Sequence, residues 1–248
     1  YQKPIHRGAM LETYHDGTQE VVGTTFIDDC QWDRSEEYIK YGNALVHDTV
    51  NACIKAAGST GKSFAYPKTG KVGNGVYFFD VKVVSPRSTN IAYPSCVFGL
   101  QTLVSSPFSS NTNGYNLELQ YNSGDPGTFL LRKYIAGVVT TIASASYTMA
   151  LNTQYTIQIV WIGTTISIYV NGVYLFSATD STYSDGYFGI FDGGSMGTET
   201  YDCRYSNIGF IAASSDATNG IAACIPPIGG GARYGVEESV YNTFTTEN

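Results

Sequence analysis

The alternation of apolar and polar residues along positions 154–192 constrains the fold more strongly than any other feature of the chain. Every second residue from Tyr155 to Trp161 is apolar, whereas Thr156 and Gln158 lie between them. A period of two places successive side chains on opposite faces of a β-strand. The stretch is therefore predicted to form four short strands, each with one face in a core.

The turns within this stretch predict that the strands are antiparallel. Gly163 interrupts the first apolar run, and Asn171-Gly172 ends the second. Asn-Gly favours a type I′ turn, because both central residues of that turn have positive φ. Residues 154–192 are thus predicted to be an antiparallel meander.

The composition extends this prediction to the whole chain. The 248 residues include 20 Tyr, 12 Phe and 27 Gly, and 14% are charged. Aromatic and β-branched residues suit pleated sheets, and Gly suits turns. No segment shows a sustained helical period with caps. We therefore predict an all-β chain, with two antiparallel sheets packed face to face as a β-sandwich.

Three regions are expected along the chain. Residues 1–20 are polar and show no period, which predicts an N-terminal arm. Residues 21–212 carry the predicted strands and form the β-sandwich domain. Residues 213–248 include IPPIGGGARYG, which suits neither a helix nor the centre of a sheet, and are expected to form a C-terminal arm.

Charge and cysteine spacing restrict the partners. The net charge is −7 and the Lys and Arg residues are scattered, so neither nucleic-acid binding nor membrane insertion is expected. Five cysteines and three distant histidines lack zinc-ligand spacing. An extracellular or surface-displayed location is expected from the low charge and strand-rich composition.

In such a location Cys30–Cys53 and Cys203–Cys224 are candidate disulfides. Five cysteines, including Cys96, nevertheless allow 15 arrangements of two disulfides and one free thiol. Buried free thiols are the alternative interpretation.

Several motifs follow one another along residues 21–212. They are GVYFFDVKV, CVFGLQ, GYNLELQY, FLLRKYIAGVVTTIA, QYTIQIVWIGTTISIYVNGVYLFSATD, DSTYSDGYFGIF and RYSNIGF. Their order resembles the concanavalin A-like lectin/glucanase superfamily, particularly its laminin-G-like jelly-roll members. The resemblance implies a jelly-roll sandwich, but it implies no single activity, because the fold hosts lectins, hydrolases, lyases and structural modules.

Two departures from the superfamily patterns bear on activity. Its glucanases carry an acidic Glu-x-Asp-x-x-Glu strand, whereas NLELQY contains one carboxylate, Glu118. The Arg, Gln-x-His and Tyr-x-Lys motifs of the alginate-lyase-like relatives are also missing. Many relatives have Asp-Asn in the last strand where this chain has Ser206-Asn207, so the resemblance does not carry over a structural cation there.

Outward-facing polar residues of the predicted strands are candidates for glycan binding. Asn116, Glu118 and Gln120 alternate with apolar residues and turn away from the core, and amides, charges and rings suit sugar hydroxyls and ring faces. The candidate residues are Asp80, Lys82, Gln101, Glu118, Gln120, Arg132 and Trp32. The alternative is an ordinary solvated sheet face.

Two of these candidates have a second interpretation. Asp80 with Glu118 is a candidate carboxylate pair for glycoside hydrolysis, although ion pairing with Lys82 and Arg132 is the simpler account. Trp32 is either an exposed stacking residue or an anchor buried under a loop.

Acidic residues in predicted loops are candidate calcium ligands, because Ca²⁺ takes six to eight oxygen ligands. They are Asp28, Asp29, Asp180, Asp185 and Asp192. Laminin-G-like relatives commonly hold a loop ion, and the resemblance implies one here. The alternative is that these aspartates cap backbone amides in turns.

Three functions follow as hypotheses. The first is a non-enzymatic carbohydrate-binding or adhesion module that binds glycan and is displayed extracellularly or on a particle surface. The second is a structural subunit of a virion coat, fibre or surface filament, self-associating through its arms. The third is a glycan-cleaving hydrolase or lyase with non-standard catalytic residues.

Overall fold

A computed structural model describes residues 7–13, 19–42, 45–56, 63–86, 91–105, 111–122, 126–192 and 202–213, with side chains from Phe26 onward. Within the predicted N-terminal arm, Arg7–Thr13 form a strand that pairs with the next strand of the chain. The predicted C-terminal arm lies outside the described residues, apart from Ala213.

The described chain forms strands and one short 3₁₀-helix, Ser35–Glu37. The strands are β1 (Arg7–Thr13), β2 (Gln19–Asp28), β3 (Tyr38–Gly42), β4 (Leu45–Asp48), β5 (Cys53–Ala56), β6 (Ser63–Pro67), β7 (Gly75–Ser85), β8 (Ile91–Ala92), β9 (Pro94–Leu100), β10 (Gly114–Leu119), β11 (Tyr121–Asn122), β12 (Gly127–Ile135), β13 (Val138–Tyr147), β14 (Gln154–Ile162), β15 (Thr165–Val170), β16 (Val173–Thr179), β17 (Tyr187–Asp192) and β18 (Asp202–Ala212).

Two large antiparallel sheets make up the sandwich. The nine-stranded sheet has the order β1-β2-β18-β7-β14-β15-β16, and the β4–β5 hairpin joins it through β18. The seven-stranded sheet has the order β13-β12-β10-β9-β17-β6-β3, and β8 pairs separately with β11. The predicted all-β, two-sheet architecture is confirmed. No helix in the described part of the chain has the length and hydropathy to cross a membrane.

The core lies between the two sheets and follows the predicted alternation. Trp161 on β14 is fully buried, and its ring lies 5.8 Å from that of Phe98 and 5.6 Å from that of Tyr115. Because Phe98 and Tyr115 belong to the seven-stranded sheet, this aromatic contact joins the two layers. Trp161 is therefore a core residue, as the alternation predicts.

The candidate Cys30–Cys53 disulfide is wrong. Both residues are free and buried, as is Cys96. The Cys30 thiol lies 3.9 Å from the backbone oxygens of Asp28 and Tyr205. Cys30, Cys53 and Cys96 therefore fit the alternative interpretation, in which they are small apolar residues packed in the sandwich. Cys203 is buried and Cys224 lies outside the described residues, so Cys203–Cys224 stays a prediction.

Candidate functional site

Polar side chains cluster on the outer face of the seven-stranded sheet. On β10, Asn116 lies opposite Arg132 of β12, and Glu118 lies two residues further along the same face. Tyr134 follows Arg132 by two residues and shares that face. Gln120 joins them just beyond the end of β10. We call these five residues the Glu118 cluster.

Glu118 is the centre of this cluster. Arg132 Nη1 donates to Glu118 Oε2 at 2.8 Å, and Gln120 Nε2 donates to Glu118 Oε1 at 2.8 Å. The Glu118 side chain is 8% exposed and that of Arg132 is 22% exposed. Both carboxylate oxygens of Glu118 thus accept a hydrogen bond, while part of the guanidinium remains open to solvent.

Asn116 and Tyr134 lie beside this ion pair. The Asn116 side chain is fully buried. Burial raises the pKa of the neighbouring Tyr134 hydroxyl, and hydrogen bonding with Asn116 and the nearby Arg132 guanidinium oppose that shift. These two buried residues therefore support the face, while Arg132 remains the part of the cluster that is open to solvent.

The other half of the same face is aromatic and covered. Phe64 stacks on Phe191 with ring centroids 4.4 Å apart, and Tyr66 also stacks on Phe64, with centroids 5.6 Å apart. The segment after β9 folds over these rings, because the Tyr66 hydroxyl donates to the Val104 backbone oxygen at 2.9 Å. These rings are buried, so the open part of the face is the side that carries Arg132.

The structure places two other predicted residues on the opposite side of the molecule. Asp80 and Lys82 lie on the outer face of the nine-stranded sheet, so they do not share a groove with Glu118. The predicted Asp80–Glu118 carboxylate pair is therefore not formed. Apolar and polar residues alternate in both β7 and β10, but the two strands belong to different sheets. The alternation within a strand does not show which sheet the strand joins.

Asp80 is held in a buried polar network. It accepts hydrogen bonds from Gln154 Nε2 at 2.7 Å, from Thr156 Oγ1 at 2.6 Å, and from Asn207. Burial raises the pKa of Asp80 despite these three donors. Lys82 borders a small cavity of ≈ 20 Å³ with Gln154 and Arg204, which is room for about one water molecule.

Gln101 and Trp32 lie apart from the Glu118 cluster. The Gln101 amide donates to the backbone oxygens of Gly99 at 3.0 Å and Asp185 at 2.7 Å, so it ties two loops together. Trp32 lies in the segment before the 3₁₀-helix and is 53% exposed. Trp32 is therefore not buried under a loop, and its stacking on a ligand stays a prediction.

Solved structures with this sandwich are found across several carbohydrate-related proteins. The carbohydrate-binding module CBM66 from Bacillus subtilis is 17% identical, with a TM-score of 0.55 over 69% of this chain and 93% of the module. The Emp47p carbohydrate recognition domain is 12% identical, with a TM-score of 0.59 over 76% of this chain and 95% of that domain. A Bacillus licheniformis β-glucanase is 14% identical, with a TM-score of 0.53 over 76% of this chain and 98% of the enzyme.

The chain has the concanavalin A-like jelly-roll fold. The predicted superfamily architecture is thereby confirmed, while identities this low show the fold alone. No protein-family model matches the sequence, and no curated protein matches it. The chemistry of this concanavalin A-like sandwich must therefore be argued from its own residues.

The predicted calcium ligands of the concanavalin A-like sandwich do not lie together. Asp28 is fully buried and accepts hydrogen bonds from the Cys30 amide at 2.9 Å and the Tyr38 hydroxyl at 2.7 Å, and it pairs with His47 Nε2 at 3.1 Å. Its neighbour Asp29 accepts a hydrogen bond from the Gln31 amide. Both carboxylates therefore face donors rather than other oxygen ligands.

The remaining candidates are at other places in the sandwich. Asp180 pairs with Lys133 and accepts a hydrogen bond from the Tyr115 hydroxyl at 2.6 Å, whereas Asp185 is half-exposed near Lys71. The side chain of Asp192 lies outside the described atoms. No group of three or more His, Cys, Asp or Glu residues in the described part of the chain could hold a metal ion. The described carboxylates do not fit a shared oxygen cage, and calcium binding stays a prediction.

Of the predicted ligand-binding residues, the structure brings three together: Glu118, Gln120 and Arg132. The outward position of Asn116 is predicted from alternation, but its complete burial is not, because that depends on what packs over the sheet. Tyr134 was missed. Its position two residues after Arg132 on the same strand is the signal that would have found it.

Proposed function

We propose that this chain is a non-enzymatic carbohydrate-binding module, displayed extracellularly or on a particle surface, that binds glycan at the Glu118 cluster. The observation that carries the proposal is the hydrogen-bonded group of Glu118, Arg132 and Gln120, in which part of the Arg132 guanidinium is open to solvent. Two structural neighbours, a carbohydrate-binding module and a carbohydrate recognition domain, support the same class of ligand.

The cluster has the chemistry that sugar hydroxyls require. Each hydroxyl donates one hydrogen bond and accepts up to two, so it pairs well with planar groups that carry fixed donors and acceptors. The guanidinium of Arg132 supplies oriented donors, and the amide of Gln120 supplies both a donor and an acceptor. Glu118 fixes the positions of Arg132 and Gln120, because each of its oxygens is used by one of them.

The carboxylate content of this face favours binding over cleavage. Hydrolysis by the common glycosidase mechanisms needs two carboxyl groups roughly 5–9.5 Å apart across the scissile bond. Among the described side chains of the seven strands, Glu118 supplies the one carboxylate, and both its oxygens are engaged. A second carboxylate of the predicted pair, Asp80, lies on the other sheet.

A glycan-array screen followed by calorimetric titration tests the proposal. Gln120→Ala is the first variant, because it removes a donor and an acceptor but leaves the Glu118–Arg132 ion pair in place. We expect it to weaken binding of the best glycan by about three- to tenfold, the loss of roughly one hydrogen bond. Arg132→Lys keeps the charge but loses the planar fork, and we expect a loss of at least that size.

Lys82→Ala is the matched control, because it removes a polar side chain from the outer face of the opposite sheet. Binding that survives Lys82→Ala and is weakened by Gln120→Ala supports the proposed face. The reverse pattern, or an array with no bound glycan, overturns it. Trp32→Ala separately tests whether that exposed ring stacks on the same ligand. Product release from a polysaccharide would contradict the non-enzymatic assignment.

A further inference from the structure

A second surface, next to the Glu118 cluster, is the free edge of β13, where Val139 and Thr141 lie opposite Tyr134 and Arg132 of β12. This strand ends the seven-stranded sheet, and among the described residues it pairs with β12 alone. Its first four residues, Val138–Thr141, are all exposed, with Val138 at 69% and Val139 at 48%. They therefore present a row of backbone N–H and C=O groups together with apolar side chains on both faces.

Natural edge strands usually carry charge or proline, which discourage pairing with another chain. Two other sheet edges of this molecule follow that rule, because β1 contains Arg7 and Glu12, and β3 contains Lys40, whereas the edge strand β16 is uncharged like β13. The edge at β13 does not. No Asp, Glu, Lys, Arg or His occurs from residue 134 to residue 179, although 14% of the chain is charged. That uncharged stretch contains β13 in full and has no proline.

We propose that β13 pairs with β13 of a second copy of this chain, antiparallel and about a two-fold axis. The segment Val-Val-Thr-Thr consists of β-branched residues, which have high strand propensity and pack well across neighbouring strands. The irregularity in the β12–β13 register lies beyond Thr141, so Val138–Thr141 form a regular ladder. A two-fold axis opposes each copy of this segment to itself.

Charge favours a second copy over an unrelated partner. Two molecules that each carry a net charge of −7 repel when they meet through acidic surface. Contact through β13 brings together segments without charge, so no like charges are opposed across the pair. The unpaired backbone groups of β13 require an extended strand as partner, and β13 of a second copy is such a strand.

Sedimentation velocity of the full chain over a concentration series tests this pairing. We expect a reversible monomer–dimer equilibrium for the wild type and at least a tenfold weaker dimer for Val139→Lys, because the two-fold axis places the added charge twice in one interface. Val50→Lys is the matched control. Val50 is 92% exposed in the turn between β4 and β5, so the same substitution there should leave the equilibrium unchanged.

Hydrogen exchange then locates the contact. In the wild type, the amides of Val138–Thr141 should become more protected at high protein concentration, and Val139→Lys should abolish that change. A monomeric wild type at every soluble concentration overturns the proposal. So does a dimer that resists Val139→Lys, or one that forms without added protection in β13. These outcomes do not depend on glycan binding. The proposed function has its own test, in which Gln120→Ala weakens glycan binding and Lys82→Ala does not.

Discussion

Glu118 and Arg132 form an ion pair across β10 and β12, with Arg132 Nη1 2.8 Å from Glu118 Oε2 on a largely buried face. Arg132→Ala would leave the Glu118 carboxylate buried without its charged partner. We expect the free energy of unfolding in urea to fall by about 2 kcal/mol, within the range for breaking partly buried charged hydrogen bonds. Adding Glu118→Gln should recover part of this loss, because no uncompensated charge then remains. Strictly additive losses would contradict coupling between the two residues.

Asp80 should make the stability depend on pH in the direction opposite to an ordinary paired carboxylate. Burial raises its pKa above the usual 3.8, so the folded state binds this proton more tightly than the unfolded state does. The stabilisation is therefore present at low pH and is lost as the pH rises from 3.8 through the folded-state pKa. Unfolding of wild type and Asp80→Asn across this range should show the wild type losing stability relative to the variant. A constant difference would refute the raised pKa.

Asp28 should give the free energy of unfolding a pH dependence of the opposite sign to that of Asp80, and it serves as an internal comparison. Burial raises its pKa, but hydrogen bonds from His47, Tyr38 and the Cys30 amide outweigh burial, so the pKa lies below 3.8. The resulting stabilisation is present above 3.8 and is lost as the pH falls through the folded-state pKa. Relative to Asp28→Asn, the wild type should therefore lose its advantage on acidification. The measurement is the same urea series, and a gap that widens on acidification would contradict the network.

The fold was predictable because its signal is local. Alternation from Tyr155 to Trp161 and the Asn171-Gly172 turn each depend on a few neighbouring residues, and the motif GVYFFDVKV falls within β7, Gly75–Ser85. By contrast, the buried first residue of β3 is followed by half-buried ones, and every residue of β6 is buried, so neither strand shows alternation of exposure. Strands covered on both faces lose the period-two pattern on which such a prediction rests.

The candidate site was only partly predictable, because it depends on which strands share a sheet. Alternation correctly predicts that Glu118 and Arg132 face outward, and their hydrogen bond follows from the pairing of β10 with β12. The same reasoning grouped Asp80 with Glu118, but β7 belongs to the nine-stranded sheet. A period of two gives the face of a strand and not the sheet to which it belongs. Sequence spacing likewise could not reveal that Asp28 and Asp180 are occupied by hydrogen-bond donors.

The cysteines give a chemical test of the described core. Cys30, Cys53 and Cys96 are free and buried, and burial raises the pKa of all three thiols. Because the thiolate is the reactive form, the native protein should react slowly with a thiol reagent such as DTNB. Denaturation in guanidinium without reductant should then release at least three reactive thiols per chain. Fewer than three would show that at least one of these three residues is in a disulfide, and would restore Cys30–Cys53 as a candidate pair. Rapid reaction in the native state would instead mean that the sandwich opens around these residues.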